Sequence, residues 1–95
     1  MTTADHILSA AYGIAVDNGW DALTREAVAA RAGVATGSVN TAWGTMDGLR
    51  AAVMQRAVDE GHLPTIVHGI VEGYPEAQAA PVDLKKKALA SLIKG

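Results

Sequence analysis

The chain has 95 residues, enough for one domain with a modest core and a short tail, but too few for a separate ligand-sensing domain beside it. It has no cysteine, which excludes disulfides, thiolate metal sites and thiol nucleophiles. The formal net charge is −2, with four arginines against seven carboxylates in residues 1–60 and four lysines against three carboxylates beyond them, so there is no overall basic footprint for a polyanion. No N-terminal run reads as a signal peptide and none approaches the ~20 apolar residues of a membrane span, so a cytoplasmic location away from membranes is expected. Alanine and valine supply much of the 49% hydrophobic content, and phenylalanine is absent. Small side chains suit thin, closely packed helices, and an all-α fold is expected.

Thr3 is the expected cap of a first helix, with Asp5 in its first turn at the positive end of the helix dipole. Ile7, Leu8, Ala11, Ile14 and Ala15 then recur at three- and four-residue steps, one face of a helix. Asn18-Gly19 stops it, with glycine free to take a left-handed cap. Thr24 caps a second helix whose Ala27, Val28 and Ala32 face inward, and Gly33 ends it. A third helix from about Thr36 to Trp43 buries Val39, Ala42 and Trp43.

Thr45 caps a longer fourth helix to about Glu60, with Leu49, Val53, Met54 and Ala57 at core spacing and Gly61 closing it. The texture then changes. Glycines and prolines punctuate a short apolar stretch, Ile66 to Val71, read as a helix opened by Pro64 because no second strand exists to pair with it. Pro81 introduces an amphipathic closing helix with Leu84, Ala88, Leu89, Leu92 and Ile93 on one stripe and the lysines mostly elsewhere. The domain organisation expected is residues 1–60 as the main domain and 61–95 as a short helical tail.

The segment from Leu23 to Leu49 carries the functional signal: a short helix, a Gly-Val turn and a second short helix ending at an aromatic. That is the layout of a helix-turn-helix, whose second helix enters the DNA major groove. Its outward edge would be Thr36, Ser38, Asn40 and Thr41. Asn40 has the paired donor and acceptor that match adenine N6 and N7, and the threonines offer methyls to thymine. The plainer alternative is a polar helix surface with no ligand.

The order of elements over residues 5 to about 58 resembles the DNA-binding domain of the TetR (tetracycline repressor) family. The resemblance rests on Ile7-Leu8-Ser9-Ala10-Ala11, on Asn18-Gly19-Trp20 and on Ala22-Leu23-Thr24. AVAARAGVATGSV follows, then Trp43-Gly44-Thr45 and finally DGLRAAV. It implies a three-helix domain plus the longer fourth helix, a dimeric repressor and a palindromic double-stranded operator. It also implies that Thr36, Gly37, Asn40 and Thr41 read bases while Thr24, Arg25, Arg31, Ser38, Thr45 and Arg50 meet phosphates. Departures are equally visible. Ala35 replaces a frequent capping serine, Thr36 a frequent lysine, Asn40 a frequent tyrosine and Met46 a common lysine, so several usual phosphate contacts are missing and binding per monomer should be weak.

Trp43 and Trp20 read as core. His6, His62 and His68 lack the spacing of a helical metal pair, so no metal or cofactor is expected. Ser9, Ser38 and Ser91 belong to no nucleophilic motif, and the lysine run at 85–87 reads as the wet face of its helix. An enzyme is not expected. One short helix reads few base pairs, so the stripe of Leu84, Ala88, Leu89, Leu92 and Ile93 is the expected homodimer interface. So small a regulator would suit a phage or mobile element. The rival expectation is a protein-interaction module on the same fold that has lost operator binding, in keeping with the acidic first 60 residues.

Overall fold

The computed structural model describes residues 2–94, with side chains from 2 to 91. Those residues form α1 (Thr3–Asn18), a 3-10 turn (Trp20–Ala22), α2 (Arg25–Ala32), α3 (Thr36–Trp43), α4 (Met46–Glu60), α5 (Leu63–Glu72), α6 (Pro75–Gln78) and α7 (Val82–Lys94). No strand occurs among the described residues, so the fold is all-α. The chain divides into two compact units, residues 1–53 and 54–95, with the division inside α4.

In the first unit, α1 starts one residue earlier than the sequence suggests. Thr2, not Thr3, is the cap: its Oγ1 accepts from Asp5 N at 3.1 Å, and Asp5 Oδ2 accepts from Thr2 N at 3.3 Å. A reciprocal capping box needs its acidic partner three residues on, and with Asp5 as that partner the cap must be Thr2. At the other end Gly19 takes φ 94° and ψ 161°. That lies outside the left-handed helical region expected, in one that is essentially open to glycine alone. Thr24 caps α2 as anticipated, accepting from Ala27 N at 3.2 Å. Thr45 Oγ1 likewise accepts from Gly48 N at 3.3 Å at the start of α4.

Helix α1 packs against α2 and α3 around Ile7, Ala11, Ile14, Leu23, Val28, Val39, Leu49 and Val53, all at most 4% exposed. Each large aliphatic side chain buried this completely contributes about 1.5–3 kcal/mol relative to exposure. Of the inward residues expected on α3, Val39 is buried, while Ala42 and Trp43 are half-buried against that core. Two polar bonds tie α1 to its neighbours. His6 Nε2 donates to Ala32 O at 2.8 Å, at the last residue of α2, and Trp43 Nε1 donates to Ala4 O at 3.1 Å.

In the second unit, Met54, Ala57, Ile66, Ala77 and Ala88 are fully buried. Helix α5 does open through Pro64, and Gly73 ends it in a left-handed cap. The four-residue α6 was not anticipated; Pro75 at its first turn pre-sets the backbone angle, but so short a helix has no hydrophobic period to read. The α4, α5 and α6 backbones approach closely around Gly69, where an added Cβ would stand 2.5 Å from Met54 Sδ and 2.7 Å from Ala77 Cβ. The buried Thr65 hydroxyl is hydrogen-bonded to His62 Nδ1 at 2.8 Å.

Candidate nucleic-acid interface

The turn between α2 and α3 is set by backbone bonds. Gly33 sits at φ 72°, ψ 33°, where a side chain would be strained. Its N–H donates to Ala30 O at 3.3 Å and that of Val34 to Ala29 O at 3.0 Å, the paired closing bonds of a Schellman motif. Half-buried Val34 packs against the core, which fixes the direction in which the chain enters α3.

Helix α3 is anchored through Val39 and Trp43, and the geometry leaves one edge in water: Thr36, Gly37, Asn40 and Thr41 are exposed, and Ser38 is half-buried. Thr36 and Asn40, like Gly37 and Thr41, lie four residues apart and so form adjacent rows on one side. Thr41 Oγ1 donates to Gly37 O at 3.0 Å. Its proton is committed to its own helix, leaving the hydroxyl lone pairs and the methyl to face outward. Among the described residues the Asn40 amide has no partner, so its donor and acceptor are both free.

The first turn of α1 lies alongside this edge. Thr2, Thr3 and Ala4 share with Ser38, Thr41 and Ala42 a shallow hollow of about 390 Å³. The sequence reading did not place Thr2 and Thr3 near α3; the only trace of the approach was Trp43, whose indole N–H needs an acceptor.

The expected phosphate residues are not gathered in one place. Thr24 and Thr45 are exposed at the starts of α2 and α4, each using its oxygen as an acceptor in its own cap. Arg31 lies across α1, ion-paired with Asp17 at 2.8 Å and packed over Gly13, where an added Cβ would stand 2.7 Å from its Nη2. Arg50 is held between Asp47, at 3.7 Å, and the carbonyl of Leu23, to which it donates at 3.3 Å. Arg25 is half-buried, with Nε shielded and unbonded. Of the expected interface stripe on α7, Ala88 is fully buried within its own unit, Leu84 is half-buried and Leu89 is 43% exposed. The side chains of Leu92 and Ile93 lie outside the described residues.

Residues 7–53 match the family model of bacterial regulatory proteins, tetR family. The match runs from Ile7 to Val53, the first and last members of the first unit's buried core. The first unit carries a TetR-family N-terminal helix-turn-helix domain. TetR-family proteins are DNA-binding transcription regulators, which agrees with an α2-turn-α3 motif and an exposed polar edge on α3. No curated protein and no solved structure matches the chain. Among the described residues no helix is long and apolar enough to cross a membrane, and no cluster of three His, Cys, Asp or Glu stands ready for a metal ion.

Proposed function

We propose that this chain is a dimeric, TetR-like repressor whose α3 reads one half of a palindromic operator in the DNA major groove. The observation that carries the reading is the edge of Thr36, Gly37, Asn40 and Thr41, exposed on a helix whose other side is locked into the core. Asn40 offers a free amide for adenine, and Thr41 offers a methyl for thymine. Thr24, Ser38, Thr45 and the unpaired part of Arg25 supply the backbone contacts that set register. The test is a gel shift of the purified protein on the duplex upstream of its own gene against a scrambled duplex. A specific complex on the first supports the reading, and equal binding to both removes the operator.

A second reading is favoured by the arginines: with Arg31 on Asp17 and Arg50 on Leu23 O, little cationic charge remains for a polyanion. On that reading the domain keeps the TetR fold and uses its surface to bind another protein. Failure of every duplex to bind at low salt, where attraction is least screened, would favour it.

A further inference from the structure

We infer that the outer face of α7, centred on Val82 and Leu89, is where a second copy of this chain docks, with the two α7 helices antiparallel about a two-fold axis. The inference rests on the dimeric reading above but relocates its interface. The stripe expected from the sequence, Leu84 and Ala88, is already turned into its own unit: Ala88 is fully buried. Val82 and Leu89, 61% and 43% exposed, lie on a different line of the helix. Seven residues are nearly two turns, about 700° at about 100° per residue, so these two fall within roughly 20° of one another.

The charges beside that line make the face complementary to itself. Asp83 and Lys87, both exposed, lie one turn apart on the same flank, and among the described residues neither has an ion-pair partner. A symmetric interface must present the same patch twice, each residue meeting the counterpart of another. When two α7 helices run antiparallel with Val82 opposite the second copy's Leu89, Asp83 of each falls beside Lys87 of the other. The pairing therefore covers both exposed apolar side chains and repeats one opposite-charge pair twice. Lys86 is the discordant member. It lies nearest the two-fold, where the two copies of this lysine approach each other.

Sedimentation equilibrium of the full chain over a concentration series tests the face independently of DNA. Wild type should dimerise reversibly. Val82→Glu and Leu89→Glu should each be monomeric with unchanged helical content, two exposed substitutions guarding against a folding defect in either. Asp83→Lys and Lys87→Asp should each weaken association about fivefold, as expected for rim ion pairs turned repulsive, and the double exchange should restore it. Lys86→Ala should tighten it. The inference is overturned by a dimer that persists in both glutamate variants, by a double exchange no tighter than the single changes, or by a chain that stays monomeric. A monomeric chain that binds anionic vesicles would assign the face to a lipid surface instead. Loss of DNA binding with these results intact would overturn the repressor reading alone.

Discussion

The indole Nε1 of Trp43 donates to the carbonyl oxygen of Ala4 at 3.1 Å, joining the last residue of α3 to the first turn of α1. Through this bond the angle of the reading helix is fixed by a residue 39 positions away. Trp43→Phe keeps the apolar ring and loses the bond, and should lower the unfolding free energy by about 1 kcal/mol. Trp43→Ala should cost more, about 2–4 kcal/mol, because packing goes as well. Urea titrations of both variants check this; equal losses would mean that the bond contributes nothing.

Two glycines should respond in opposite directions to alanine. Gly37 on α3 has open space where a Cβ would stand. Gly37→Ala should therefore raise stability by about 0.5–1 kcal/mol through helix propensity, while weakening DNA binding if the backbone there approaches the groove. Gly69→Ala meets Met54 and Ala77 and should cost about 1–3 kcal/mol by overpacking. Thermal melts of the two variants give the signs directly.

Much of the first unit was legible from local chemistry. Thr24, Gly33 and Thr45 mark helix ends by bonds that close within three or four residues, which a sequence displays openly. Tertiary pairings were not legible. Arg31 reads as a candidate for phosphate or for Glu26, yet its partner Asp17 is 14 residues away and depends on how α1 packs on α2. The α7 stripe shows the same limit in another form. Periodicity finds Leu84 and Ala88 as an apolar line but cannot tell a unit's own core from a partner's surface; burial makes that distinction.

Salt dependence should follow the arginines' partners. Arg31→Ala should leave the slope of log affinity against log salt unchanged and lower stability by at most about 1 kcal/mol, since its pair with Asp17 is exposed. Arg25→Ala should flatten the slope by about 0.9 for each phosphate it neutralises. Fluorescence anisotropy between low and moderate salt separates the two. A flatter slope for Arg31→Ala would show that it leaves Asp17 for DNA.

The central claim is that the exposed edge of α3 reads bases, and Asn40→Ala tests it most directly. The measurement is the affinity of wild type and variant for the upstream duplex and for a random duplex, with a thermal melt of each protein. The account predicts that the variant loses about 1–3 kcal/mol on the upstream duplex, roughly 5- to 150-fold, while random binding and the melting temperature stay the same. An unchanged affinity for the upstream duplex would contradict it.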